Sequence, residues 1–483
     1  MSLAKKTISG FFWTFSQQVS VQFINFIETI FLARLLLPSE FGLIGMLAIF
    51  IAIGNTLIDG GLTSSLIRTE NADEKDYSTV FFINLMGSLV IYFILFFTAP
   101  FIASFYKQPV LTDLIRVYTL TFIIRAFSSV QMTKLTKELN FKLQMTIQIP
   151  SEILASALGI ILAWSGFGVW SLVWMNVFQA SMYSIQLWIR SGWQPKFLFN
   201  KELFQHHFSF GYKLTLSGLI NTIYQNLYTL VIGKFFSAAQ VGYYTYSMTL
   251  RQLPLQNVST ALNKITYPIF SAIQNDAIRL KRAYKKLMQQ VTFWIAPVMI
   301  LLSIIAEPLF RFLLTEKWLP AVPYFQILCI AGILYPLQTY NLNILKIKGR
   351  SDLFLKLEVI KKTYAVIGIF FALKFGIYGL LYFQIITTFI GFVINTWHSG
   401  KLINYPIKEQ LGDIISIILL AALIGILTWF INFYVRYTLN FPDVLVLITI
   451  PVTYFLVYLF VSYSINMVSF NDFRRLILKR NAG

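Results

Sequence analysis

The chain has 483 residues, of which 57% are hydrophobic and only 12% charged, with a mean hydropathy of +0.67. That composition excludes an ordinary soluble globule and points to a polytopic membrane protein. A net charge of +19 would suggest nucleic acid in a soluble chain, but most of the basic residues fall in alternate loops, so we expect no nucleic-acid partner.

Apolar runs long enough to span a bilayer recur near 8–33, 41–58, 79–99, 112–133, 147–165, 168–189, 209–233, 241–262, 288–306, 322–345, 359–374, 377–397, 411–433 and 443–464. The pattern predicts an all-α polytopic membrane protein with about 14 transmembrane helices. Lys5 and Lys6 precede a first span too long and too polar for a cleaved signal, so that span is expected to be retained. The basic sets Lys134/Lys137/Lys142, Arg279/Lys281/Arg282, Lys346/Lys348/Arg350 and Arg474/Arg475/Lys479/Arg480 share one side, which predicts cytoplasmic termini.

The first span, within Gly10 to Gly42, is the most informative. Gln18, Gln22, Asn25 and Glu28 fall on one face at about 100° per residue, and such groups are costly in hydrocarbon. That face is expected to meet water or protein. A shift of 200 residues sets 31–46 beside 231–246, with Arg34 on Lys234 and Gly42 on Gly242, and Gln225 takes the place of Asn25. A shift of 208 aligns 99–105 with 307–313 and 168–173 with 376–381. Two pseudo-symmetric six-helix lobes are therefore expected, 1–207 and 208–400, related by an axis along the membrane normal and enclosing a cavity. Residues 401–483 add two further helices and a basic tail.

No phosphate-binding Gly-rich loop, HExxH or Cys/His cluster occurs in the sequence, so we expect no ATP hydrolysis, no cofactor and no metal; His206 and His207 diverge and His398 stands alone. Cys329 is the single cysteine. The loops are too short for a soluble catalytic domain, which excludes most membrane-bound transferases and polymerases, and we expect no enzyme activity. The deepest cations are Arg125 and Arg251, with Arg34 and Lys234 nearer span ends. Guanidinium forks suit a phosphate group, and pyrophosphate is the candidate ligand. Glu28 is the deepest carboxylate facing the expected cavity and is a candidate ion-coupling site.

The motifs LARLLLPSEFGLIGM, DGGLTSSLIR (59–68) and STVFFINLMGSLV (78–90), in that order, resemble the polysaccharide transporters of the multidrug/oligosaccharidyl-lipid/polysaccharide exporter superfamily, the Wzx-type O-antigen or capsule flippases and the teichuronic acid exporters. The resemblance implies a multi-pass protein of the bacterial inner membrane that flips an undecaprenyl-pyrophosphate-linked oligosaccharide by alternating access. Its implied partners are that lipid, the surrounding membrane lipids and a polysaccharide polymerase or assembly complex. A multidrug cation antiporter, a lipid II flippase and a membrane glycan polymerase are the alternatives. In the second half Ala238-Ala239-Gln240-Val241 replaces the Pro-Ser-Glu-Phe turn, a departure that leads us to expect a different hinge there.

Overall fold

The computed structural model describes residues 3–59 and 61–480, with the side chains of 3–8, 59, 256–265, 267 and 476–480 set aside. Lys5, Lys6, Asp59, Lys264, Lys479 and Arg480 therefore lie outside the described side chains. Among the described residues every regular element is helical and no strand occurs.

The chain groups into two units, Met1–Gly242 and Tyr243–Gly483. The first holds α1 (Leu3–Leu35), α2 (Pro38–Asp59), α3 (Leu62–Arg68), α4 (Glu74–Tyr106), α5 (Leu111–Tyr118), α6 (Leu120–Lys137), α7 (Phe141–Trp164), α8 (Val169–Arg190) and α9 (Lys201–Phe235). In it α7 packs between α1 and α8, α6 lies against α4 and α8, and α9 packs on α2 and α4. Small residues set the α7–α8 approach: a Cβ added at Gly159 would lie 2.6 Å from the Met175 sulfur.

Next come α10 (Ala238–Ala272), whose first turn groups with the first unit, α11 (Ala277–Ile304), α12 (Ala306–Leu314), α13 (Val322–Gly332), α14 (Tyr335–Ile347), α15 (Ser351–Ala372), α16 (Gly376–Leu402), α17 (Ile407–Tyr437), α18 (Asp443–Ser464) and α19 (Val468–Arg480). The late helix α17 lies along α11 and is tied at both ends. Lys281 meets Glu409 at 2.6 Å and Lys285 meets Asp413 at 2.9 Å, while Arg436 meets Glu307 at 2.8 Å.

Among the described residues eight helical stretches are long and apolar enough to cross a membrane, including Glu74–Tyr106, Ala277–Ile304 and Asp443–Ser464. The chain is thus a multi-pass membrane protein. Helices α1, α6, α8, α9 and α10 are not among those eight, because polar side chains interrupt their apolar surface. Lipid-facing surface is plain on α4, where Phe97 is 68% and Phe101 76% exposed. In hydrocarbon the backbone must satisfy itself, which is why such a surface is helical throughout.

The repeat reaches the punctuation of the helices. Helices α1 and α9 end at Leu35 and Phe235, and α2 and α10 begin at Pro38 and Ala238. The Glu40 carboxylate accepts from Leu37 N at 2.6 Å, and the Gln240 side-chain carbonyl accepts from Ser237 N at 3.1 Å. The expectation of a different hinge at 238–241 fails for the turn itself: the Gln240 amide oxygen does for this turn what the Glu40 carboxylate does for the first. At a spacing of 208, Lys107 and Thr315 both end helices with positive φ, and Gly168, just before α8, and Gly376, the first residue of α16, both have positive φ.

Candidate functional site

A polar cavity of 690 Å³ opens inside the first unit, among α2, α3, α4, α6, α7 and α8. Its longest wall is α6, where Arg125, Ser129, Met132 and Thr136 recur at the spacing of one helix face. Off this stripe Val130 is fully buried, while Arg125 is exposed to the cavity.

Among the described residues Arg125 is the only arginine or lysine in the wall. Its side chain is exposed to the cavity, and Nη2 donates to the Gln179 carbonyl oxygen of α8 at 3.4 Å, a long and weak bond. No ion pair of Arg125 occurs among the described residues. The Gln179 amide nitrogen donates onward to Glu152 Oε1 of α7 at 3.1 Å, and Gln148 donates to the same oxygen at 3.5 Å. Gln17 of α1 donates in turn to Gln148. The result is a hydrogen-bonded line from α1 through α7 and α8 to the guanidinium.

Glu28 joins the same seam one turn further along α7, where Ser156 donates to its carboxylate. Its recorded partner is therefore a hydroxyl, not a cation. Together Gln148, Glu152 and Ser156 form an i, i+4, i+8 row, which puts a carboxylate of α1 and a carboxylate of α7 on one polar seam.

The other expected site residues lie elsewhere. Arg34 is exposed in the last turn of α1, where a cation complements the helix dipole. Lys234 donates to the Phe105 carbonyl at 2.8 Å and sits 4.1 Å from the Phe105 ring, which fixes it to the end of α4. Gln18 and Asn25 are exposed on α1, Gln22 is half-buried and Gln225 is exposed on α9; none lines the cavity. Arg251 belongs to the second unit, where it is buried beside Gly332, and its Nε has no hydrogen-bond partner among the described residues.

Sequence reading missed Gln148, Gln179 and Tyr183 as wall residues. The available signal was the i, i+4 spacing of Gln148 with Glu152 and of Gln179 with Tyr183 inside otherwise apolar runs. A second buried cluster was also missed. His207 Nε2 lies 3.0 Å from Asp76 Oδ1 and its Nδ1 lies 2.8 Å from Ser65 Oγ, joining α9 to α4 and α3.

The helical, multi-pass architecture is shared with solved structures. Lipid II flippase MurJ in an inward-closed conformation is similar over 95% of this chain and 99% of its own, with a TM-score of 0.74 at 16% identity. An inward-facing multidrug resistance MATE family transporter of the MOP superfamily is similar over 79% of this chain and 95% of its own, with a TM-score of 0.59 at 18% identity.

The chain belongs to the family described as polysaccharide biosynthesis protein, which matches residues 31–323. It is 24% identical to the teichuronic acid biosynthesis protein TuaB of Bacillus subtilis (strain 168), over 89% of each chain. It is 25% identical to the lipopolysaccharide biosynthesis protein WzxC of Escherichia coli (strain K12), over 82% of each. With the succinoglycan biosynthesis transport protein ExoT of Rhizobium meliloti (strain 1021) it shares 27% identity, over 70% of this chain and 68% of the other.

Proposed function

We propose that this protein is a flippase that carries an undecaprenyl-pyrophosphate-linked oligosaccharide across the bacterial inner membrane by alternating access, for surface polysaccharide synthesis. In this reading Ser351–Leu402 crosses twice, as α15 and α16, and α1, α6, α8, α9 and α10 also cross, completing fourteen spans with both termini cytoplasmic, and the lobes run 1–207 and 208–400 with 401–483 appended. The protein acts as a transporter and not as an enzyme, and its partners are the lipid-linked glycan, bilayer lipids and a polysaccharide assembly complex.

The observation that carries the reading is the Arg125 guanidinium, held in a 690 Å³ cavity with only one long hydrogen bond of its own. An always-charged fork that faces a cavity with free donors is the group that pairs with phosphate oxygens. Amide and hydroxyl side chains around it, Gln148, Gln179 and Ser129 among them, supply donors and acceptors of the kind sugar hydroxyls use. Arg251 is proposed as a second anion-binding group, with Arg34 and Lys234 as peripheral attractors, and Gln18, Gln22, Asn25 and Gln225 as sugar contacts. Glu28 is proposed as the ion-coupling carboxylate.

The test is export of surface glycan by variants that remain in the membrane. Arg125→Ala should cut export by about tenfold or more, the loss expected when one charge-assisted bidentate contact worth roughly 1.5–3 kcal/mol is removed. Glu28→Gln should leave residual transport that no longer responds to an imposed proton gradient. Normal export by Arg125→Ala would sink the binding role, and a normal gradient response in Glu28→Gln would remove Glu28 from coupling.

A further inference from the structure

The polar cavity continues past Arg125. At Ile58 and Asn84, which line both, it meets a second recess of 630 Å³ formed by α2, α4, α9 and the segment before α9. The chemistry changes at that junction, because the second recess is walled almost wholly by hydrophobic side chains.

On α9 the rings of Phe204, Phe208 and Tyr212 follow one another at i, i+4 and i+8, with centroids 5.4 Å and 5.9 Å apart. On α4 the wall is Met86, 67% exposed, and Val90, 57% exposed. Gly87 lies between the helices at a point where an added Cβ would meet nothing within 4 Å. The recess is open space with apolar walls, of a size typical for ligand sites.

We propose that this recess between α4 and α9 seats the first isoprene units of the carried lipid while its anionic head lies at Arg125. This rests on the reading of Arg125 as the head-group site. The shared residues Ile58 and Asn84 argue for one molecule in both recesses. A free phospholipid chain gains little by leaving the bilayer for walls no more apolar than its neighbours. A chain covalently joined to a head bound next door enters instead at high effective concentration. The groove thus takes a polyprenyl chain through its attachment, and the head group supplies the positioning.

The experiment uses the purified full-length protein in lipid nanodiscs with two probes, undecaprenyl pyrophosphate and inorganic pyrophosphate. Gly87→Trp, at a position where an added Cβ meets nothing within 4 Å, should weaken undecaprenyl pyrophosphate binding by about tenfold and change pyrophosphate binding by less than about twofold. Phe101→Trp, at an exposed α4 position outside the recess, should change neither. Should Gly87→Trp fail to fold, Val90→Trp takes its place. Unchanged undecaprenyl pyrophosphate binding by a folded groove variant overturns the proposal and leaves the Arg125 reading intact. If Arg125→Ala binds both probes like the wild type, the head-group reading falls and the groove proposal falls with it. A photoreactive residue at Met86 that labels only bilayer phospholipid also overturns the groove assignment.

Discussion

Gly42 and Gly242 occupy equivalent places in the repeat, and each lies against the other's helix start. A Cβ at Gly42 would sit 1.7 Å from the Ala238 carbonyl oxygen, and one at Gly242 would sit 1.9 Å from the Pro38 carbonyl oxygen. Both obstacles are backbone, so neither can swing aside as a side chain would. The contact is reciprocal between positions 200 residues apart. Gly42→Ala should therefore destabilise by ~1–3 kcal/mol through overpacking, measured as a lower thermal unfolding midpoint of the purified protein. An unaltered midpoint would contradict this crossing. The sequence alignment of Gly42 with Gly242 marked the pair, whereas the reason for glycine, a close approach of two backbones, came only with the coordinates.

At the scale of elements, the first unit is held by short polar links between helices. His207 ties the start of α9 to Asp76 of α4 and Ser65 of α3, beside an aromatic cluster of Tyr77, Phe81 and Trp193. His207 precedes the span expected over 209–233. Burial holds its imidazole below the usual histidine range, with the Asp76 contact opposing that shift and His206 adding to it. A histidine whose folded pKa is depressed binds fewer protons folded than unfolded near its ordinary value of about 6.5, so the stability it confers is present above that value and is lost as pH falls through the folded pKa. Protease cleavage in the 191–207 segment should rise between about pH 7.5 and about pH 5.5, across that range. In His207→Gln this pH dependence should vanish; an identical profile in both proteins would rule out the link. Sequence reading placed His206 and His207 as non-metal residues but gave no hint of this tie, since Ser65 and Asp76 are more than a hundred positions away. The polar face of the first span was legible because amides and a carboxylate stand out in an apolar run. Their partners Gln148 and Ser156 were not, because helix pairing sets them and the periodicity of one segment does not.

At the scale of the whole molecule, composition made the membrane class plain, and the matching offsets suggested a duplication. Helix ends at Leu35 and Phe235, and positive-φ stops at Lys107 and Thr315, fall at those offsets. Non-glycine residues with positive φ leave no composition signal, so these stops could not be read in advance. The sequence also underrated the first unit's interior. Arg125 was expected to line a cavity, but that α2, α3, α4, α6, α7 and α8 would form one within this unit, with Glu152 linked to Arg125 through Gln179, depended on packing between distant segments.

The central claim is that this chain carries a lipid-linked glycan from one leaflet to the other. Its most direct measurement is deletion of the gene in the native host, followed by leaflet-resolved analysis of undecaprenyl-pyrophosphate-linked glycans. One such glycan should accumulate on the cytoplasmic face while its surface polymer is lost, with return to normal on re-expression of the wild type and not of Arg125→Ala. Unchanged leaflet distribution and unchanged surface polymer in the deletion strain would contradict it.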